Sequence, residues 1–477
     1  MFSRSITDLK QRSLKSVEKY PQSLRRFVEY GYRITPLPIR EGKIYRKWKK
    51  FLDESQWWSK SEIEEYQLEK LSKLLNHAYK NVPYYHSLFK REGIKPADID
   101  DYDKLSLIPP LTKKIVKNNL DKLKARNFSE LKFKLTATSG STGVPTVFYH
   151  EKGKSKAIEQ AFHWRYRNII GVKYSDEYIF LTGIITNLNR FDANVSWAKY
   201  YIPYRILVLS SFHLNDFYLK RYIKLIRSRP NSIFFGFPSN LYALAKYLEK
   251  NEETLDNIKL THTGSENSYS YQRSLMESQF NSQVFDHYGN AEQCALFHQC
   301  EQADLYHIIP EYGVSEIINQ HGKIAKNMGD TGKLYATSLT NYIFPFIRYD
   351  TEDIIEYSGK SCKCGRSFST IKSIQGRIQE FLVDRTGIKM SLTGIIGALH
   401  STVFKNMEKF QFFQEERGET ILKIVKREGF TNLDKNDILK TLYSKMGKDI
   451  NIKIEYVDDI KRTSRGKFIW VEQKLSI

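Results

Sequence analysis

The stretch TATSGSTGVPT at residues 136–146 contains two glycines and four hydroxyl side chains within residues 138–143. Glycine allows the backbone to turn where a Cβ atom would clash. Turns of this kind present backbone N–H groups and hydroxyls to an anion, most often a nucleotide phosphate. The composition alone leaves a polar surface turn open as the alternative.

The sequence on either side of this loop predicts two strands, at 131–135 and 147–149. The loop therefore joins strand to strand, whereas a Walker P-loop leads from a strand into a helix and ends in Gly-Lys-Ser/Thr. No lysine follows Gly143, so a P-loop NTPase is a poor fit. A nucleophile elbow is excluded as well, because Ser139 stands where the Gly-x-Ser-x-Gly motif needs its first glycine.

The composition is that of a folded protein without a membrane span. The 477 residues are enough for two or three domains with substantial cores. The hydrophobic content of 41% argues against disorder. We find no apolar run long enough to cross a bilayer and no signal-peptide segment. Four cysteines in so long a chain do not make a disulfide scaffold, so we expect a reduced, cytoplasmic setting.

The charge is strongly basic and concentrated near the N-terminus. The chain has 75 Lys+Arg against 54 Asp+Glu, and residues 1–50 hold 14 basic and 4 acidic residues. Such arms contact nucleic acid or anionic lipid. No nucleic-acid-binding motif supports the first option, so we expect no nucleic-acid partner. Residues 1–60 are predicted to be a basic helical extension packed on or near the large domain. Peripheral contact with the inner membrane face and a basic surface without a specific partner stay open.

The rest of the chain alternates helical and strand patterns. An amphipathic helix is predicted within residues 61–92, ending at Asn81-Val82-Pro83. Beyond the loop we predict helices at 151–168, 215–227 and 238–250, with the strand-like runs YIFLTGII, RILVLSS and SIFFGF between them. This alternation indicates a parallel sheet with crossover helices. Residues 378–477 form a compact α+β unit by their pattern.

Further motifs follow the loop in order. They are THTGSEN (261–267), DHYGNAE (286–292), FIRYDTED (346–353), Gly376-Arg377 and TSRGK (463–467). Together with LLNHAYKNVPYYHSLF and LSLIPPLTKKIVKNN near the N-terminus, the series resembles the adenylate-forming enzymes. It is most similar to the phenylacetate-CoA ligase group and its CapK-like members. The resemblance implies an α/β adenylation domain at 61–376 and a small, mobile α+β domain at 377–477.

The resemblance also implies roles for single residues. The loop residues Thr138, Ser139, Gly140, Ser141, Thr142 and Gly143 would hold the phosphates of ATP. Gly264, Ser265 and Glu266 would lie beside the adenine and acyl pocket. Tyr288 would stack on adenine next to Gly289, and Glu292 would bind Mg²⁺ on the phosphates, because a hard cation with carboxylate support suits triphosphate charge.

Three further roles follow from the same resemblance. Asp353 would accept hydrogen bonds from both ribose hydroxyls. Arg377 would reach phosphate or ribose near the hinge between the domains. Lys467 would bridge the attacking carboxylate and the α-phosphate. Two positions depart from the pattern, since Ala291 replaces a hydroxyl residue and Gln379 replaces an aspartate.

The cysteines suggest a metal site. Cys300, His307, Cys362 and Cys364 could make a closed tetrahedral Zn²⁺ set of structural type. The alternative is four reduced thiols without metal. Similar Cys…His…Cys-x-Cys-Gly-Arg patterns in the phenylacetate-CoA ligase group favour zinc. Cys294 and His298 are interpreted as ordinary core or surface residues.

The predicted function is activation of a carboxylic acid by ATP, giving an acyl-adenylate and pyrophosphate. The acyl group would then pass to an acceptor such as CoA, a carrier-protein thiol or a sugar amine, and resemblance to CapK-like proteins implies surface polysaccharide synthesis. Two alternatives are AMP transfer to an acceptor by the same fold and a catalytically degenerate scaffold, which Ala291 and Gln379 would favour. The oligomeric state is left open, with a dimer as one option.

Overall fold

The computed structural model describes residues 30–137, 146–182, 197–211, 213–377, 381–386, 389–391, 406–446, 449–460 and 468–475. Several predictions made from the sequence therefore lie outside the described residues. These are the loop residues Thr138 to Gly143, the basic helices before residue 30, the hinge at Gln379 and the lysine Lys467. For Arg377 the backbone is described and the side chain is not.

Three helices form the N-terminal part of the described chain. They are α1 (Leu37–Ser55), α2 (Lys60–Asn81) and α3 (Pro83–Glu92). A capping box begins α2, because the Ser59 hydroxyl accepts from the Glu62 N–H while the Glu62 carboxylate accepts from the Ser59 N–H. The predicted helix ends at Asn81 as expected. A second helix starts at Pro83, whose fixed φ suits a first helical position.

Helix α1 packs on the body of the protein and is hydrogen-bonded to a buried ion pair there. Its side chains Tyr45 and Leu52 are buried in a core shared with helix α5 (Lys154–Ile169). Arg165 of α5 donates two hydrogen bonds to Glu311, at 2.5 and 3.1 Å, and Ser55 donates a third at 2.6 Å. Charges this deeply buried require such pairing. The N-terminal helix is thus fixed to the large sheet from residue 45 onwards.

The centre of the molecule is a 12-stranded mixed sheet. Its strands are β3 (Tyr178–Thr182), β4 (Ala198–Tyr201), β5 (Ile206–Ser210), β6 (Ser232–Gly236), β7 (Ile258–Gly264), β8 (Val284–Gly289), β9 (Leu296–Gln299), β10 (Tyr306–Ile308), β11 (Gly313–Ile318), β12 (Thr331–Ser338), β13 (Tyr349–Tyr357) and β14 (Thr370–Arg377). Their order across the sheet is β11-β12-β13-β14-β10-β9-β8-β7-β6-β3-β5-β4. A separate hairpin joins β1 (Phe133–Ala137) to β2 (Val147–Glu151), and a short helix α4 spans Lys113–Asn118.

Five neighbouring strands of the sheet, β5, β3, β6, β7 and β8, are parallel. Helices α6 (Asp216–Arg227), α7 (Pro238–Lys250) and α8 (Ser270–Phe280) pack on one face, and α5 packs on the other. Residues alternate between the two cores: Phe234 faces the first group of helices, and Phe235 belongs to the core of α5. The predicted parallel sheet with crossover helices is confirmed for these strands. The remaining strands are antiparallel and were not predicted.

The C-terminal part has its own core. Strands β17 (Met407–Glu416), β18 (Glu419–Lys426), β19 (Asn451–Tyr456) and β20 (Val471–Gln473) form a sheet of order β19-β18-β17-β20, next to helix α9 (Asn432–Met446) and the hairpin β15 (Phe381–Val383) with β16 (Lys389–Ser391). Phe412, Leu422 and Ile438 are fully buried there. The predicted fold class, a large α/β part followed by a small α+β part, is confirmed.

Candidate active site

The β1–β2 hairpin holds the ends of the glycine- and hydroxyl-rich loop together. Ala137 pairs with Val147 across the hairpin. Nε2 of His150, on β2, lies 2.9 Å from the carbonyl oxygen of Ala291, and the Asn341 amide donates to the carbonyl of Tyr149 at 3.2 Å. The base of the loop is therefore fixed beside the DHYGNAE motif, although its tip lies outside the described residues.

Glu292 is buried at the end of that motif and has a specific partner. The Tyr349 hydroxyl donates to its carboxylate at 2.6 Å, and only 4% of Glu292 is exposed. Burial, and next the Glu292 carboxylate, raise the pKa of Tyr349 well above its usual value. Tyr349 therefore stays a neutral donor, which orients a carboxylate without cancelling its charge.

Tyr288 and Asp353, predicted for the nucleoside, are hydrogen-bonded to each other. The Tyr288 hydroxyl donates to Oδ2 of Asp353 at 2.5 Å, and the Tyr288 ring stacks on Phe297 with centroids 4.9 Å apart. Gly289 ends the same strand β8. Asp353 on β13 lies opposite Arg377 on β14, which places the Gly376-Arg377 motif beside Asp353.

The buried thiol of Cys294 lies near the carboxylates of both Glu292 and Asp353. Burial and, after it, the carboxylates of Glu292 and Asp353 raise the pKa of Cys294 well above its usual value. The side chain of Asn290 binds this residue twice, donating to its sulfur at 2.9 Å and accepting from its backbone N–H at 3.0 Å. Cys294 is a core residue, as interpreted from the sequence, and it lies within electrostatic reach of both carboxylates.

The Gly264–Glu266 turn lies at the carboxyl end of β7. A Cβ atom on Gly264 would come within 2.5 Å of the His287 ring, so only glycine allows this packing. The Glu266 carboxylate accepts hydrogen bonds from two backbone N–H groups, that of Ser239 at the start of α7 (3.2 Å) and that of Phe468 (3.3 Å). Phe468 directly follows Lys467, so the segment after the lysine is bound at the predicted site.

These contacts bring together most of the predicted residues that the structure describes. Tyr288, Asp353 and Arg377 meet at the β8, β13 and β14 strands, and Glu292 lies beside the hairpin that carries the loop. Sequence reasoning missed Tyr349, His150 and Asn290. A signal for Tyr349 was present, because it lies inside the FIRYDTED motif directly before Asp350.

The predicted metal ligands form a cluster. The ligand atoms of Cys300, His307, Cys362 and Cys364 all lie within 4.8 Å of one another. Sγ of Cys300 is 3.4 Å from Sγ of Cys362, and Sγ of Cys364 is 3.3 Å from Nε2 of His307. A tetrahedral zinc ion with ligand bonds of about 2.0–2.3 Å requires separations of roughly 3.5–3.8 Å. The two short separations lie slightly below this range and no pair exceeds 4.8 Å, so small side-chain shifts would bring the three sulfurs and the imidazole to zinc-binding distances.

Burial and the neighbouring Arg366 cation lower the pKa of His307 to about 4, which keeps the imidazole neutral as a metal ligand must be. Burial raises the pKa of the Cys300 thiol. Burial acts in the same direction on Cys364, but hydrogen bonds from Arg366 and Cys362 outweigh it and lower that pKa. The cluster thus combines a neutral imidazole with one thiol that ionises readily.

Comparison with known proteins agrees with this geometry. The family model described as the CapK C-terminal domain matches residues 382–474. Protein CapK of Staphylococcus aureus is 25% identical over 429 residues, which cover 85% of this chain and 88% of CapK. A phenylacetate-coenzyme A ligase of Aromatoleum evansii is 24% identical over 337 residues, 69% of this chain and 73% of that ligase. The chain is thus similar to CapK and to the phenylacetate-CoA ligases, which are adenylate-forming enzymes.

A solved structure has the same fold as this chain. The crystal structure of 2-hydroxyisobutyryl-CoA ligase in the postadenylation state, with R3-HIB-AMP, superposes with a TM-score of 0.69 at 16% identity, covering 88% of this chain and 91% of that chain. The structure of the same relative in the thioesterification state gives a TM-score of 0.57. The predicted resemblance to the adenylate-forming enzymes is confirmed. The chain thus shares its fold with this CoA ligase.

Proposed function

We propose that this protein activates a carboxylic acid with ATP and transfers the resulting acyl group to an acceptor. In the first step a carboxylate oxygen attacks the α-phosphorus of ATP, and the bond from that phosphorus to the bridging oxygen breaks. The products are an acyl-adenylate and pyrophosphate. In the second step the acceptor attacks the acyl carbonyl carbon, and AMP leaves. CoA, a carrier-protein thiol and a sugar amine are the acceptor classes we consider.

One observation carries this proposal: residues far apart in sequence converge where the β1–β2 hairpin, β8 and β13 meet. Tyr288 and Asp353 share a hydrogen bond of 2.5 Å although they are 65 positions apart. Glu292 and Tyr349 share one of 2.6 Å across 57 positions. The first pair joins a ring that could stack on adenine to a carboxylate that could accept from ribose. The second pair orients another carboxylate. Polar groups that converge in this way support a nucleotide site.

The roles proposed for this chain's own residues follow from their positions. Asp353 would accept from the ribose hydroxyls, and Tyr288 would both orient Asp353 and support the adenine. Glu292, aligned by Tyr349, offers a hard oxygen ligand of the kind that Mg²⁺ prefers. Bound Mg²⁺ would neutralise phosphate charge as pyrophosphate leaves. The loop at 138–143 would hold the phosphates through its N–H groups and hydroxyls.

We also propose that Glu266 positions Lys467 for the first step. Its carboxylate holds the Phe468 N–H, one residue after the lysine, and Tyr269 and Trp470 pack edge to face at 6.2 Å beside it. A lysine delivered next to the reacting carboxylate and α-phosphate would offset the developing negative charge. The higher TM-score against the postadenylation state than against the thioesterification state supports this arrangement of the two parts.

Pyrophosphate exchange with ATP, measured across a panel of carboxylic acids, tests the proposed function. We expect exchange that depends on one class of acid and releases free AMP once the acceptor is added. The Lys467→Ala variant should lose exchange. Exchange that no acid stimulates, with calorimetry showing no ATP binding, would instead favour a scaffold. AMP found covalently on the product would favour AMP transfer.

Replacement of Glu266 by alanine should lower the exchange rate about tenfold, because one charged hydrogen bond that places the lysine segment is lost. We expect kcat to fall while KM for ATP and the thermal midpoint stay nearly unchanged, since a positioning residue does not hold the nucleotide. Asp459→Asn is the matched control, because Asp459 pairs with Lys409 on the exposed surface of the C-terminal part. A Glu266→Ala variant with native kcat would contradict this role.

We propose that the Cys300, His307, Cys362 and Cys364 cluster binds a structural zinc ion. The two halves of the cluster come from segments about 60 residues apart in sequence, so the ion would cross-link β9 and β10 to the turn before β14. A closed set of four protein ligands leaves no open position for substrate. The role is therefore stability, separate from the chemistry at Glu292.

Elemental analysis should find one zinc per chain in the purified protein. Cys362→Ser should lose the metal and lower the thermal midpoint by about 5 °C or more. Cys294→Ser serves as the control, because that buried thiol bonds Asn290 and lies outside the cluster. Native protein without zinc, or zinc retained in Cys362→Ser, would contradict the site.

The division of the chain is a further proposal. We place the large adenylation domain at 61–376 and the small mobile domain at 377–477, and the match of residues 382–474 to the CapK C-terminal domain supports a boundary near there. The role in surface polysaccharide synthesis that the resemblance implies stays a prediction, as do the acid and the acceptor.

A further inference from the structure

The N-terminal helix α1 exposes a basic and apolar surface that the proposed catalytic function does not use. One side of α1 is buried on the protein, through Tyr45 and Leu52. After a non-helical kink at Gly42, the other side carries four exposed cations and the exposed Ile44, and the exposed Ile39 and Ile34 lie in the segment just before the kink. We call these seven residues the α1 surface: Lys43, Arg46, Lys47, Lys50, Ile34, Ile39 and Ile44.

The cations of the α1 surface are not neutralised within the described structure. Lys43, Lys47 and Lys50 recur at helical spacing on one side of α1. None of the four cations forms an ion pair with another described residue, whereas the neighbouring Lys49 pairs with Asp53. Residues 1–50 hold 14 basic and 4 acidic residues, so the wider segment has the same sign of charge. An anionic partner fits this field.

The exposed isoleucines indicate which class of anionic partner the α1 surface binds. Ile34, Ile39 and Ile44 are 77%, 64% and 40% exposed. A nucleic-acid backbone offers no partner for bare aliphatic side chains, whereas the boundary between lipid headgroups and acyl chains accepts them. Basic residues beside such side chains reach the lipid phosphates. No helix among the described residues is long and apolar enough to cross a bilayer.

We propose that the α1 surface binds the face of a membrane that contains anionic phospholipids. The isoleucines enter the headgroup region, and the four cations contact lipid phosphates. Because the Ser55 hydroxyl and the Leu52 carbonyl of α1 are hydrogen-bonded to the buried Arg165–Glu311 pair, binding through this surface would hold the whole protein against the bilayer. The proposal is independent of the acid that the enzyme activates and of its acceptor.

Co-sedimentation of the full chain with vesicles tests the proposal. At physiological salt we expect binding to vesicles of phosphatidylcholine with phosphatidylglycerol and none to phosphatidylcholine alone. A basic residue near an anionic surface contributes about 1 kcal/mol, or about fivefold in affinity. Reversal of all four cations to glutamate should therefore weaken binding at least about 100-fold. Ile34→Ser, Ile39→Ser and Ile44→Ser combined should weaken it about tenfold.

The matched control reverses four exposed lysines elsewhere, with the same change in net charge. These are Lys114, Lys220, Lys224 and Lys440. We expect this control to bind vesicles nearly as the native chain does. Far-ultraviolet circular dichroism reports whether each variant is folded, and glutamine in place of glutamate provides a milder second set.

Several results would overturn the proposal. They are failure of the native chain to bind anionic vesicles, equal loss in the control and the α1 variant, and unchanged binding after the isoleucine replacements. Binding of duplex DNA or RNA that the α1 reversals abolish, without vesicle binding, would assign the surface to nucleic acid instead.

Discussion

Replacement of Glu292 by glutamine is expected to lower the rate of carboxylate-dependent ATP–pyrophosphate exchange by about 10²–10³-fold. Glutamine has nearly the same shape and can still accept the 2.6 Å hydrogen bond from Tyr349, so the local packing should persist. The change removes one negative charge where the proposed Mg²⁺ would bind. We therefore expect the Mg²⁺ concentration for half-maximal exchange to rise, and this dependence separates a metal role from a loss of folding.

Two further variants test whether the loss is specific to the charge of Glu292. Tyr349→Phe removes the donor and leaves the charge, so exchange should fall only about tenfold. Glu352→Gln is the control, because Glu352 lies on the same strand as Tyr349 but forms a partly exposed ion pair with Lys113. It should keep exchange within about threefold of native. Equal losses in Glu292→Gln and Glu352→Gln would mean that Glu292 has no special relation to the nucleotide.

Local chemistry in the sequence predicted much of the fold around this site. The pattern of residues 131–135 and 147–149 predicted strands on both sides of the glycine- and hydroxyl-rich loop, and the strands found there are Phe133–Ala137 and Val147–Glu151. The Phe237-Pro238-Ser239 segment predicted the start of α7, because proline suits the first turn of a helix. Each of these signals acts between residues close in sequence, and for that reason a single chain reveals them.

The contacts that make the site were not predictable in the same way. The hydrogen bonds from Tyr349 to Glu292 and from the Phe468 N–H to Glu266 depend on how distant strands and the two parts of the chain pack. The antiparallel strands after β8 were also missed, since their pairing is non-local. Resemblance named Glu292, but only the packed structure shows which hydroxyl orients it.

The contacts between the buried histidines beside the site were also not predictable from the sequence. His262 on β7 and His287 on β8 have Nε2 and Nδ1 3.0 Å apart, and Nδ1 of His287 also lies 3.0 Å from the carbonyl oxygen of Thr263. In sequence they are 25 positions apart, and no motif relates them. His163 and Arg167 of α5 lie near His262, and His163 also lies near His287. These neighbours disfavour a positive charge on either imidazole.

Acidification below pH 6.5 should therefore destabilise the part of the protein that carries the large sheet. Burial, assisted by neighbouring cationic groups, lowers the pKa of both His262 and His287 well below the usual value of about 6.5. Below that pH the unfolded chain binds more protons than the folded one, so the free energy of unfolding falls with pH. The stability is complete above about pH 6.5 and is lost as the pH falls toward the depressed pKa values, by up to about 3 kcal/mol per pH unit for the two residues.

Urea midpoints measured between about pH 5.5 and 7.5 test this expectation, because the midpoint reports the free energy of unfolding at each pH. His287→Asn should flatten the pH dependence only in part, because burial also lowers the pKa of His298 and His307, which therefore add to the same slope. His321→Asn, at an exposed position, should leave the slope unchanged. A native slope in His287→Asn would mean that His287 binds a proton as readily in the folded chain as in the unfolded one. The packing of its ring against Gly264 leaves no room for the water that such a charge would need.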